Sequence, residues 1–212
     1  MEAQLRRSAA PRATGKRAAV KEQNRRIILD AARRVFADLG YGATTVRDII
    51  RATPLASGTF YNYFRSKEQI FEALRDETAL QLRPVIRDAR LKAETAEAFL
   101  AATFAPCFAH VAANRAASPI RRPQAVHIRI DTPEVLAGFE ELHQDVVAAI
   151  GRGLFPAMDA DYLTAAIVGI GFELAEAMQK REAPNPEETT RFATRLLLGG
   201  LAAGGLGRSG TS

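Results

Sequence analysis

TTVRDIIRATPLASGTFYNYFRSKE, Thr44 to Glu68, packs two short amphipathic segments, a tight connection and a basic exit into one stretch. Thr45 and Asp48 stand at capping-box spacing, so a helix is expected to start at Val46. Val46, Ile49 and Ile50 recur at i, i+3 and i+4, which gives that helix an apolar face and turns Arg47, Asp48 and Arg51 to water. Pro54 disfavours the α conformation in Thr53 and closes it. A second helix is predicted from Ser57 to Phe64, anchored by Phe60 and Phe64 on one face. Its other face carries Ser57, Gly58, Thr59, Asn62 and Tyr63, with Tyr61 at the flank. These are short polar and aromatic side chains that can donate to phosphates or read base edges, and Arg65 and Lys67 follow at once.

Those residues carry a resemblance. GYGATTVRDII, SGTFYNYF and SKEQIF resemble the DNA-binding domain of the TetR family of bacterial one-component transcriptional regulators, over roughly Arg25 to Leu74. The resemblance implies an all-α protein, with a three-helix helix-turn-helix head followed by a helical ligand-binding and dimerisation body. It also implies a homodimer, a pseudo-palindromic double-stranded DNA operator and a small-molecule effector. Arg25, Thr45, Ser57, Gly58, Thr59, Tyr61, Asn62, Tyr63 and Lys67 become the candidate DNA contacts. Two positions depart from the family pattern. Pro54 stands where a turn glycine is usual, and Ala56 stands where a serine or threonine usually caps the reading helix.

Charge distribution agrees with a phosphate-binding head. Residues 1–70 hold 14 Lys and Arg against 6 Asp and Glu, whereas residues 131–190 hold 3 against 12, so a net charge of +5 conceals a basic head and an acidic body. The division expected is a flexible basic arm over 1–21, the head over 22–67, the body over 68–205 and a disordered tail over 206–212. The arm reads equally as solvated chain or as a segment reaching a minor groove or phosphates. A single cysteine excludes an intrachain disulfide and suits a reducing cytoplasm. Cys107 lies in the apolar run Phe104 to Phe108, which predicts a buried structural thiol. The most apolar stretch, Tyr162 to Leu174, is short and runs into Glu173 and Glu176, so no membrane span is expected.

Along the chain, Ile28, Ala31, Ala32, Val35, Phe36 and Leu39 step by three and four, predicting a supporting helix from Glu22 that Gly40 stops. Phe36 is expected against the Phe60 and Phe64 rings. Ser66 caps a linker helix that buries Ile70, Phe71, Leu74 and Leu80 and kinks at Pro84. Further helices are expected near Thr95–Asn114, split by Pro106, then Gln124–Ile130, Pro133–Leu154, Asp161–Arg181 and Pro186–Ala203. Ala165, Ala166, Gly169 and Gly171, with Gly199, Gly200, Ala203 and Gly204, are small residues at helical spacing and suit a close four-helix dimer seam.

No catalytic, metal or cofactor set emerges. Cys107 and His110 lack a third ligand or an orienting group, and no phosphate-loop, dinucleotide or hydrolase motif occurs. Phe99, Phe104, Phe108, Phe139 and Phe172 can line a body pocket or form plain core, with His110, His127 and His143 as its polar fixers. The function expected is a cytoplasmic repressor released by a small apolar or amphipathic ligand. The alternative is a small-molecule-binding or enzymatic helical protein whose head is a structural hairpin.

Overall fold

The computed structural model describes residues 11–114 and 132–205, with side chains for 15–114 and 132–201. The described residues are helical and contain no strand. The helices are α1 (Pro11–Leu39), α2 (Val46–Arg51), α3 (Ser57–Tyr61), α4 (Lys67–Leu91), α5 (Ala96–Ala113), α6 (Pro133–Gly151), α7 (Ala160–Lys180) and α8 (Pro186–Gly205). Most ends follow local chemistry legible in the sequence. Ser66, Thr95 and Thr132 each accept an amide two or three residues into the following helix, and Gly40 closes α1 at φ 74°.

Two apolar cores divide the helices. In the head, Ile28, Leu29, Ala32 and Phe36 of α1 meet Ile49 of α2, Phe60 of α3, Phe64, and Ile70 and Ala73 of α4. Each such large side chain removed from water contributes about 2 kcal/mol. Phe36 belongs to this core as expected, but its ring partners are Tyr41 at 5.4 Å and Phe71 at 6.3 Å. The body core gathers Phe99, Leu100, Phe104 and Phe108 of α5 with Leu142 and Val146 of α6, Ile167 and Met178 of α7, and Ala193 and Leu197 of α8. α4 reaches both cores, burying Ile70 and Ala73 in the head and Ile86 and Arg90 beside the body.

Several expectations change. Helix α1 begins at Pro11, so residues 11–21 are helical rather than a flexible arm. Apolar periodicity could not reveal this, because every side chain from Gly15 to Gln23 faces water. α3 ends at Tyr61, three residues early, with Asn62 as its cap. Leu80 is exposed, and α4 and α5 each run on through Pro84 and Pro106. Cys107 is exposed rather than buried, although the surrounding protein still pushes its thiol pKa up. Gly171 faces inward, where a β-carbon would meet the Phe104 ring at 3.5 Å, so it is no part of an outer seam. Among the described residues one helix, Ala96–Ala113, has the length and apolarity to cross a membrane, but it buries Phe99, Leu100, Phe104 and Phe108 in the body core. The expected helix Gln124–Ile130, the first ten residues and the tail from 206 lie outside the described residues.

Linker and body are joined by an ionic ladder. Arg83 of α4 donates to Glu134 at 2.6 Å and to Glu141 at 2.5 Å, both on α6. The Glu141 carboxyl is held below its ordinary pKa, first by that Arg83 hydrogen bond. Gly138 lies one turn from each glutamate and lets the Arg83 stem pass, 3.5 Å from where a β-carbon would stand. Two turns further along α4, buried Arg90 donates to buried Asp145 at 2.8 Å.

Candidate nucleic-acid interface

α2 starts as its sequence dictates. The Thr45 hydroxyl accepts the Asp48 amide at 3.3 Å, and the Asp48 carboxylate accepts the Thr45 amide at 2.9 Å. The Thr45 hydroxyl also donates to that carboxylate at 2.6 Å, and this bond first, then the one from the Thr45 amide, holds the Asp48 pKa down. The Thr45 side chain is thereby spent on the cap, although it remains exposed.

The connection manages without glycine. Among the described residues no non-glycine residue takes a positive φ. Thr53 donates its hydroxyl to the Ile50 carbonyl at 2.8 Å and accepts the Leu55 amide at 3.3 Å, which turns the chain through Pro54. Ala56 is the N-cap of α3 at φ −65° and ψ 146°, and it offers no side-chain bond. Ser57 does not take over, because it is already helical. The missing cap costs α3 about 1 kcal/mol.

Phe60 and Phe64 turn inward and are buried, so the opposite side of the motif is what the solvent meets. Ser57, Gly58, Tyr61 and Asn62 are exposed there, and Thr59 is half-buried. A β-carbon on Gly58 would meet nothing within 4 Å, so the chain's own packing does not demand glycine at that point. Tyr63 is half-buried, and its phenol oxygen accepts from Asn24 of α1 at 3.3 Å, leaving its own O–H free to donate.

Two expected phosphate contacts are occupied within the head. The Lys67 ammonium donates to the carbonyls of Tyr41 at 3.0 Å, Gly42 at 3.4 Å and Thr44 at 3.0 Å, and it stands 4.7 Å from the Tyr41 ring centre. All three of its N–H bonds are used. Lys67 therefore ties the α1–α2 loop to the start of α4. Arg25 bonds Glu77 of α4 at 3.1 Å and lies over the Phe64 ring at 5.8 Å, while Arg33 grips the same carboxylate. Cations left exposed around the reading face are Arg47 and Arg51 on α2 and Arg65 after α3, and among the described residues they form no ion pair. The amphipathic pattern had placed Arg47 and Arg51 in water without giving them a role.

The expected pocket set separates into two groups. Phe99, Phe104 and Phe108 are core, with Phe104 and Phe108 stacked at 5.7 Å. Phe139 and His143 instead line an open groove of about 650 Å³ between α6 and α7, with Leu136, Glu140, Asp161, Thr164 and Val168. Phe172 meets Phe139 edge-on at 6.0 Å. His143 lies 3.5 Å from both Thr164 and Asp161. His110, near the end of α5, is half-buried, and burial and then Arg33 lower its pKa. His127 lies outside the described residues.

Comparison with known proteins places this geometry. Residues 28–74 match the family described as bacterial regulatory proteins, tetR family. The chain is 45% identical over 53 residues to the HTH-type transcriptional repressor Rv1474c of Mycobacterium tuberculosis, which is 25% of this chain and 28% of that protein. It is 50% identical over 50 residues to the HTH-type transcriptional repressor KstR2 of Mycolicibacterium smegmatis, 23% of this chain and 24% of that one. The chain thus spans only about a quarter of the length of these curated relatives. Among solved structures, the fatty acid degradation regulator FadR of Bacillus halodurans superposes with a TM-score of 0.68 at 26% identity, over 84% of this chain and 95% of that one. Helix-turn-helix sequence and whole-chain architecture agree: residues 28–74 match the tetR family of bacterial regulatory proteins, and the chain as a whole shares the fold of the FadR regulator.

Proposed function

We propose that the chain is a transcriptional repressor, a cytoplasmic homodimer whose paired α3 helices read a pseudo-palindromic operator until a small apolar or amphipathic molecule binds the body. One observation carries the reading. The apolar residues of the α2–α3 motif are used inside the head, while Ser57, Gly58, Tyr61 and Asn62 stand exposed among the unpaired cations Arg47, Arg51 and Arg65. A hairpin that served only as structure would not need donors and cations arranged around an exposed helix.

Support for an effector comes from α6. One side of that helix lines the groove with Leu136, Phe139 and His143, and another carries Glu134, Glu141 and Asp145 to α4. A molecule in the groove would bear on the helix that holds the linker. The likeness to FadR, a fatty acid degradation regulator, agrees with an amphipathic effector. Support for a homodimer comes from the outer faces of α7 and α8, where Tyr162, Phe192 and Leu196 are 78%, 56% and 51% exposed.

The test is binding of the full chain to the DNA upstream of its own gene and to scrambled DNA, followed by fluorescence anisotropy. Expected is a marked preference for the upstream DNA, with affinity falling roughly 10³ to 10⁵-fold between about 50 and 200 mM salt if six to ten phosphates are contacted. Absence of binding to either DNA at low salt sinks the reading.

A further inference from the structure

Helix α1 runs well ahead of the core it supports. Its first core residues are Ile28 and Leu29, yet the helix is already formed at Pro11, and every side chain from Gly15 to Gln23 is exposed. Nothing in the head's own packing calls for this extension. It carries Lys16, Arg17 and Lys21, and among the described residues none of these pairs with a carboxylate. Arg25 and Arg33, on the same helix nearer the core, are both held by Glu77. Glu77 thus draws two arginines of the core-bearing part onto α4, whereas the cations of the extension are free.

Direction follows from helical geometry. Arg17, Lys21 and Asn24 are spaced i, i+4 and i+7, so they form one stripe along α1. Asn24 marks where that stripe meets the reading motif, because its amide donates to the phenol oxygen of Tyr63 at 3.3 Å. Tyr63 adjoins the exposed Tyr61 and Asn62. Arg17 lies about 10 Å beyond Asn24 at 1.5 Å per residue. That is about three base-pair rises along a duplex.

Resting on the repressor reading above, we propose that the Arg17–Lys21 stripe is a second DNA-contacting surface, in which α1 lies as a rigid helix against the phosphodiester backbone flanking the bases that α3 reads. The ligand is duplex DNA phosphate, bound without regard to sequence. The stripe supplies affinity and register and leaves base preference to α3. It differs from a flexible arm in a minor groove because the helix fixes where its cations stand.

The experiment uses the full chain with Arg17→Gln and Lys21→Gln together. Both positions are exposed and glutamine is a good helix former, so the head core is untouched. Against the upstream DNA, where the two chains of a dimer together lose four cations, the plot of log affinity versus log salt should become shallower by about 3 to 4, while the ratio of affinities for upstream and scrambled DNA stays the same. Exchanging the cations, Arg17→Lys with Lys21→Arg, should restore the slope. Lys92→Gln, on the body, should not change it. An unchanged slope in the double variant, while the unmodified chain binds upstream DNA, overturns this proposal and leaves the repressor reading standing. Failure of the unmodified chain to bind either DNA overturns both.

Discussion

Gly58 is where the demands of folding and of binding part company. Its position in α3 is helical and its β-carbon direction is open, so Gly58→Ala should stabilise the head by up to about 1 kcal/mol. The same methyl group would stand on the surface proposed to meet DNA, where the close approach of a base or phosphate favours glycine. Expected together are a higher melting temperature and a loss of operator affinity of tenfold or more, read by thermal unfolding and anisotropy on one preparation. Affinity that rises or holds would place Gly58 outside the interface. Residues differ in how far they can be read before folding. Thr45 and Asp48 declare their cap by spacing alone, since both partners lie within one turn. Lys67 and Arg25 do not, because their partners are 23 and 52 residues away and a long flexible cation looks the same in sequence whether it meets a phosphate or a carbonyl.

Between elements, α4 and α6 are fastened by charge. Arg90 and Asp145 are 5% and 3% exposed, so neither charge can fall back on water if the other is removed. Asp145→Ala should therefore cost about 3 to 5 kcal/mol in denaturant unfolding. Arg83→Ala, at the partly exposed end of the same ladder, should cost about 1 kcal/mol or less, because solvent screens its pairs with Glu134 and Glu141. Equal costs for the two variants would mean that the ladder acts as one unit. Helix positions were readable here from the caps Ser66, Thr95 and Thr132. The ladder was not, since Glu134, Gly138, Glu141 and Asp145 show a helical repeat without naming the helix that they face. The α1 extension failed for the opposite reason: with no buried side chain before Asn24, it has no apolar period to read.

On the scale of the whole molecule, a basic head and an acidic body agree with the proposal that DNA meets the head alone, and the proposed pairing of two chains then calls for another surface. The outer side of α8 presents Phe192 and Leu196 one turn apart, followed by exposed Gly199 and Gly200. α7 presents Tyr162, Ala165 and Ala166. In a lone chain these aromatic and aliphatic groups would stand in water, and the small residues beside them would allow a second pair of helices to come close. Because Phe192 and Leu196 contribute little to their own chain's core, Phe192→Glu with Leu196→Glu should leave each chain folded by circular dichroism. Sedimentation should then show half the mass of the unmodified protein. Operator affinity should fall by about 10² to 10⁴-fold, because the second head no longer benefits from the effective concentration that the first one creates. An unchanged sedimentation mass would move the dimer seam to another face. Halved mass with undiminished operator affinity would show that one head reads its DNA alone.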